Sequence, residues 1–214
     1  MRSGIFITGT DTGVGKTYVT ALILAELRRR GVKAAAFKPI ACGRGGRHDA
    51  EIYRRLMDNE QPLHVINPVY LKHPLAPSVA ARLENRRINL QSIHAAYARL
   101  TTLYAPLLVE GAGGLLVPIK QDYFVADLAK DLQLPVLIVA RLGLGTINHT
   151  LLTVRQAKNV AGIVLNDTTG KRGLAEKTNI VEIPRLTGVP LLGVVPYGER
   201  GRERAVREIC DKLF

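Results

Sequence analysis

The chain has 214 residues, 47% of them apolar and 22% charged, with 30 Lys plus Arg against 18 Asp plus Glu. That length suits one domain burying roughly 70% of its unfolded-chain surface, and no run approaches the ~20 apolar residues of a membrane span. The formal charge of +12 would admit nucleic acid, but the basic residues are scattered and aromatics are only 5%, too few for a base-stacking platform, so neither nucleic acid nor membrane is expected as a partner.

The first apolar run, GIFITG at residues 4–9, is too short for a secretory core and passes into a polar loop. The two cysteines, Cys42 and Cys210, are far apart in sequence and outline no disulfide framework, so a reduced, cytoplasmic setting is expected. Strands are predicted at Ile5–Thr8, Lys33–Phe37, Leu107–Glu110, Val136–Ala140, Gly162–Asn166 and Leu192–Val195. Helices are predicted near residues 16–30, 49–58, 90–103, 124–132, 146–159 and 202–212. Basic residues Arg28–Arg30 fall at the end of the first helix, where positive charge suits the helix dipole. Strands such as PVLIVA are continuously apolar, not alternating, which predicts burial on both faces. With no repeat and no linker, residues 1–214 read as a single α/β domain: a doubly wound, mainly parallel sheet flanked by helices. Ligands of such folds sit at the carboxyl ends of the strands.

The loop after the first strand reads GTDTGVGKT, residues 9–17. Its end matches the phosphate-binding pattern G-x-x-x-x-G-K-[ST], but Thr10 stands where the first glycine is usual, with Gly9 beside it. The chemistry survives this shift. Gly13 and Gly15 let backbone N–H groups approach phosphates, and the following helix presents its positive end. Lys16 would reach the β- and γ-phosphates, and the Thr17 hydroxyl would ligate Mg²⁺. Partition-type ATPases carry the variant K-G-G-V-G-K-T, but Asp11 stands at their signature lysine. A carboxylate there reverses the charge and counts against that class.

Three further loops carry unusual residues. FKPIACG puts Lys38 directly after the second strand, and Asp49 follows in HDAEIYRRL, either as a helix cap or as a metal ligand. LLVEGAGGLLVP closes a buried strand with Glu110, which is costly to bury unless it is paired or metal-bound. In VLND, Asn166 and Asp167 end another strand, where a side-chain amide can pair with an adenine edge.

Taken together, GTDTGVGKT, KPIACG, the HDA segment, LAPSVAA, VEGAGGLLVP, LGTINHTLLT, the ND pair and VPY resemble the dethiobiotin synthetases, in order from residue 4 to about residue 198. The resemblance implies a P-loop NTPase-like homodimer. It would convert 7,8-diaminononanoate and CO2 to dethiobiotin with ATP and Mg²⁺, through a carbamate and a carbamic-phosphoric anhydride. Carried over, Gly13, Val14, Gly15, Lys16, Thr17 and Tyr18 hold the phosphates, while Thr17, Asp49 and Glu110 hold the metal. Lys38 is the catalytic residue, stabilising the carbamate and the transferring phosphoryl group. Glu110, Gly111, Ala112 and Gly113 line the nucleotide and substrate pocket. Asn166 and Asp167 meet the base, and Pro196, Tyr197 and Gly198 close over it. Thr12 and Cys42 fall on the substrate side.

By residue type alone, Gly145, Thr146, Ile147 and Asn148 read as an ordinary loop and helix cap. The resemblance places them at the substrate carboxylate of the opposing subunit, so the active sites would be composite. The chain departs from the family pattern at Cys42, where a serine is usual, at Ser78, where a larger residue is common, and in its short basic segment after residue 198. A related P-loop amide ligase would need an ammonia source, and neither a glutaminase-like segment nor a cysteine in a reactive motif is evident.

Overall fold

The computed structural model describes residues 3–214. Along the chain run β1 (Gly4–Gly9), α1 (Lys16–Arg29), β2 (Ala35–Phe37), β3 (Ile40–Cys42) and α2 (Gly43–Leu56). They are followed by α3 (Leu63–Ile66), β4 (Val69–Leu71), α4 (Pro77–Leu83), α5 (Leu90–Leu103) and β5 (Leu107–Glu110). Next come β6 (Pro118–Lys120), β7 (Tyr123–Phe124), α6 (Val125–Asp131), β8 (Val136–Arg141) and α7 (Thr146–Gln156). The chain ends with β9 (Val160–Asn166), α8 (Leu174–Thr187), β10 (Leu191–Val195) and α9 (Arg202–Leu213).

Six strands pair in the order β10-β9-β8-β1-β5-β2, and every pairing in this sheet is parallel. The fold is α/β, with helices flanking the sheet. The connection from β1 to β2 runs toward one edge and that from β8 to β9 toward the other. Right-handed crossovers in opposite directions put α1 and α7 on opposite faces. The crossing direction reverses at β1, so the crevice beyond its carboxyl end is the natural ligand site.

The central strands are apolar throughout because both faces are covered. Ile5, Phe6, Ile7, Leu108, Val109, Ile138, Val139, Val164 and Leu165 have no solvent exposure. Each such side chain contributes roughly 1.5–3 kcal/mol by leaving water. The basic run at the end of α1 is held in ion pairs. Arg28 pairs with Asp58 and Glu60, Arg29 and Arg30 with Glu26, and Arg30 also with Asp211 of α9. Among the described residues, no helix is long and apolar enough to cross a membrane.

The six predicted strands are the six strands of the main sheet, with ends displaced by at most two residues. One predicted helix start is wrong: α2 begins at Gly43, not near Asp49. The three glycines of GRGGR read as loop, yet Gly46 lets the first turns of α2 lie against β3, where an added Cβ would sit 3.2 Å from Ala41 Cα. Asp49 is therefore interior to the helix and caps nothing. Unpredicted were α8, whose pattern is blurred by Pro184 and by exposed Leu174 and Val181, the short helices α3 and α4, and four strands of two or three residues. Such short strands show no periodicity to read.

Candidate active site

The loop between β1 and α1 has the backbone that its glycines permit. Gly13 and Gly15 take positive φ values of 76° and 93°, a left-handed conformation that strains any residue with a Cβ. At Gly15 an added Cβ would also collide with Asn166 Nδ2 at 2.1 Å. That amide donates to Val14 O at 3.0 Å, so the end of β9 braces the loop. Gly9 has a separate reason. A Cβ there would lie 2.9 Å from Lys16 Nζ, and this ammonium folds back to donate to Asp11 O at 2.9 Å. Burial lowers the Lys16 pKa, with Lys38 adding to the effect and Glu110 opposing it.

Beside the loop, Lys38 and Glu110 end neighbouring parallel strands. The pairing of Phe37 with Val109 brings the next residue of each strand together. Lys38 Nζ donates to Glu110 Oε1 at 2.6 Å and to Asp49 Oδ2 of α2 at 3.2 Å. Thr17 Oγ1 donates to Glu110 Oε1 at 3.0 Å, and the Tyr53 hydroxyl donates to Glu110 Oε2. Burial opposes the Lys38 ammonium, but Glu110 and Asp49 outweigh it and raise its pKa above the ordinary lysine value. Burial, and then the Glu110 charge, push the Tyr53 phenol well above its usual value. It therefore stays a donor. The cost of burying Glu110 is met by these partners.

Asn67, 2% exposed, donates to Lys38 O at 2.8 Å and to Val69 O at 3.0 Å. The Lys38 backbone N–H is held by Ile66 O at 2.9 Å. Sequence reasoning missed both Asn67 and Tyr53. Tyr53 follows Asp49 by four residues in HDAEIY, a spacing that puts both on one helix face, and that was the available signal. Asn67 carried none, because its role depends on how the Lys38 backbone after β2 comes to lie beside the start of β4.

The remaining predicted residues surround this cluster unequally. Gly111 N–H donates to Ile7 O at 2.9 Å, and a Cβ on Gly111 would press on Val125 and Phe6. Ala112 and Gly113 are half-buried beyond it. Tyr18, on the first turn of α1, accepts a hydrogen bond from Arg202 at 3.0 Å. The Asp167 carboxylate is taken up by its own loop, accepting from Thr169 and Gly170 N–H at 3.1 and 2.8 Å and pairing with Arg172. Tyr197 is 60% exposed, and its ring lies against Gly170, where a Cβ would be 2.9 Å from it. Pro196 and Gly198 are its neighbours in the chain.

On the other side of the loop, Thr10, Asp11 and Thr12 share a cleft of about 380 Å³ with Leu116, Val117, His149 and Leu152. Cys42 is half-buried, and burial raises its thiol pKa to about 11, with Lys38 acting in the opposite sense. Gly145, Thr146, Ile147 and Asn148 form the start of α7, with Gly145 left-handed and Asn148 exposed. No hydrogen bond among the described residues joins them to the Lys38–Glu110 cluster. Leu116, Leu144 and Leu152 are 59%, 86% and 56% exposed around this segment.

A family profile described as an AAA domain matches residues 3–202. Among solved structures, the MinC:MinD cell division complex of Aquifex aeolicus aligns with a TM-score of 0.62 at 15% identity, over 99% of this chain and 96% of that one. The signal recognition particle receptor FtsY of Elizabethkingia anophelis aligns with a TM-score of 0.60 at 15% identity, over 100% of this chain and 65% of that one. At such identities these likenesses show the fold alone. Sequence similarity reaches further. The ATP-dependent dethiobiotin synthetase BioD of Thermodesulfovibrio yellowstonii is 42% identical over 100% of this chain and 97% of its own. That of Anaeromyxobacter dehalogenans is 46% identical over 91% and 90%. With likeness of that extent added to a phosphate loop braced from β9 and a lysine set between two carboxylates, the chain belongs to the ATP-dependent dethiobiotin synthetase family.

Proposed function

We propose that the chain is an ATP- and Mg²⁺-dependent ligase of biotin synthesis, closing the cyclic urea of dethiobiotin from 7,8-diaminononanoate and CO2. The observation that carries this reading is the Lys38 ammonium fixed between Glu110 and Asp49, beside Thr17 and the phosphate loop. A phosphate loop alone serves any ATPase or kinase; a second buried lysine at its edge meets the need of an anionic phosphoryl acceptor.

One amine of the substrate adds to CO2 and loses a proton, giving a carbamate. A carbamate oxygen attacks the γ-phosphorus of ATP, and ADP leaves. The second amine then attacks the carbamate carbon and loses a proton, the C–O bond to the phosphoryl group breaks, and the urea ring closes as phosphate departs. Positioning and charge neutralisation dominate such a transfer. Lys16, Gly13, Val14, Gly15 and Tyr18 hold the phosphates. Lys38 offsets the repulsion between carbamate and γ-phosphate. Thr12 and Cys42 contact the diamine side, and Gly111, Ala112 and Gly113 shape the wall between nucleotide and substrate. Asn166 and Asp167 meet the base, Asn166 while bracing the loop, and Pro196, Tyr197 and Gly198 close over it.

Asp49 and Glu110 converge on the Lys38 ammonium, and the Thr17 hydroxyl donates to Glu110 beside it. That hard-oxygen donor set fits Mg²⁺ carried with nucleotide phosphates, which needs only one or two protein carboxylates. Bound there, Mg²⁺ would neutralise charge on the β- and γ-phosphates.

Residues 1–214 act as one domain, and two subunits associate so that Gly145, Thr146, Ile147 and Asn148 reach the partner's substrate carboxylate. Support comes from the positive end of α7 and from exposed Leu116, Leu144 and Leu152 around it. The free thiols of Cys42 and Cys210 fit a cytoplasmic enzyme. The test is incubation with 7,8-diaminononanoate, ¹³C-bicarbonate, Mg²⁺ and ATP. Dethiobiotin carrying one ¹³C, formed in step with ADP, is expected; ADP release without labelled dethiobiotin refutes the reading.

A further inference from the structure

Tyr53 lies one helical turn after Asp49 on α2, and its side chain is wholly buried. Its hydroxyl donates to Glu110 Oε2. The other carboxylate oxygen, Oε1, receives Thr17 Oγ1 at 3.0 Å and Lys38 Nζ at 2.6 Å. The two oxygens of Glu110 thus have different work. Oε1 faces the phosphate loop, Lys38 and, through Lys38, Asp49, while Oε2 is turned back into the core against a phenol.

Packing accounts for the ring of Tyr53 but not for its hydroxyl. Phenylalanine would fill the same space without bringing a polar atom that must find a partner once buried. Here that partner is the carboxylate that both Thr17 and Lys38 also grip. Without the phenol, Glu110 would be held by its outer oxygen alone and could rotate about its last torsion, which is broad in carboxylates.

We propose that Tyr53 is a positioning residue that orients Glu110 for the divalent cation, presenting Oε1 toward Thr17 and Asp49 by tethering Oε2. This rests on the assignment of Thr17, Asp49 and Glu110 as the ligands of a nucleotide-bound cation. Groups that orient a metal ligand from behind commonly change metal affinity about 10–100-fold when removed.

The test uses the full chain with Mn²⁺ and ADP, reading free Mn²⁺ by its paramagnetic resonance signal. Tyr53→Phe is expected to weaken Mn²⁺ binding in the presence of ADP by about tenfold or more, while ADP binding in EDTA stays at the wild-type value. If Tyr53 acts through Glu110, the Tyr53→Phe, Glu110→Gln double variant binds Mn²⁺ no more weakly than Glu110→Gln alone. Wild-type Mn²⁺ affinity in Tyr53→Phe, equal losses with and without metal, or additive losses in the double variant would each overturn the proposal. Where Tyr53→Phe does not fold, Tyr53→Leu carries the same expectations. Wild-type Mn²⁺ affinity in Glu110→Gln would instead bring down the ligand assignment itself, whereas loss there without loss in Tyr53→Phe rejects only the role of Tyr53.

Discussion

Lys38 Nζ stands 2.6 Å from Glu110 Oε1, with the two residues 5% and 1% exposed. A lysine and a glutamate so deeply buried are tolerable only together. Removing one partner of such a pair typically costs about 3–5 kcal/mol, because the other charge is left uncompensated. The pair ties β2 to β5 and draws Asp49 on α2 toward the same point. It organises the site before any ligand arrives.

Lys38→Gln therefore has two expected effects. Thermal unfolding shifts to lower temperature, since Glu110 and Asp49 lose their shared cation. Dethiobiotin formation falls by ~10²–10³-fold, the usual loss when a charge-stabilising group is removed, and far more than the Michaelis constant for ATP rises. Lys38→Arg does not restore it, because a planar guanidinium is bulkier than a point ammonium. Steady-state kinetics on the folded variant check this, and near-normal dethiobiotin formation contradicts it.

At the phosphate loop, Lys16→Ala is expected to abolish turnover. Thr17→Val removes the hydroxyl that donates to Glu110 at 3.0 Å, and its turnover should need more Mg²⁺ to saturate. A Mg²⁺ titration of the rate reads the difference. Wild-type rates in either variant would refute the assignment of the loop.

Hybrid subunits test the composite site. Lys16→Ala and an inactive Asn148 variant, mixed and reassociated, should regain part of the activity, because one hybrid site carries neither lesion. Background activity in verified hybrids rules the arrangement out.

The Cys42 thiol is expected to be unreactive. Its pKa of about 11 leaves a thiolate fraction on the order of 10⁻³ at pH 8, and the thiolate is the reactive form. Alkylation by iodoacetamide, followed by intact mass, should be slow at pH 8 and accelerate as pH rises toward 11. Cys42→Ser should keep turnover and hold or improve substrate affinity, since a hydroxyl is the stronger hydrogen-bonding group. Complete loss of turnover in a folded Cys42→Ser protein would show that the thiol does more than contact substrate.

Much of the site was legible because its parts are local. Gly-Lys-Thr at residues 15–17 specifies a turn into a helix. Glu110 announces itself as a charge closing a buried apolar run, whereas Lys38 alone looks like a solvated strand-end lysine and is picked out by the family resemblance. By residue type Asp49 is as good a helix cap as a metal ligand, and the start of its helix is hidden because GRGGR looks like a loop until Gly46 lies against Ala41. Apart from its spacing from Asp49, nothing in the sequence distinguishes Tyr53 from an ordinary core aromatic. Its hydroxyl acquires meaning only once Glu110 lies against it.

From the sequence alone came the alternation of strand and helix, the burial of the strands on both faces, and the loops that carry chemistry. Each of these follows from side-chain period and backbone preference within a few residues. Strand order and register belong to the tertiary structure. Pairing Phe37 with Val109 sets Lys38 beside Glu110, and pairing Ile7 with Glu110 sets that carboxylate beside the strand leading into the phosphate loop. Those partners are separated by 72 and 103 positions in the chain. No local propensity acts over such distances; the contact forms because burying six apolar strands in one sheet permits few arrangements, and the chosen one brings these charges together.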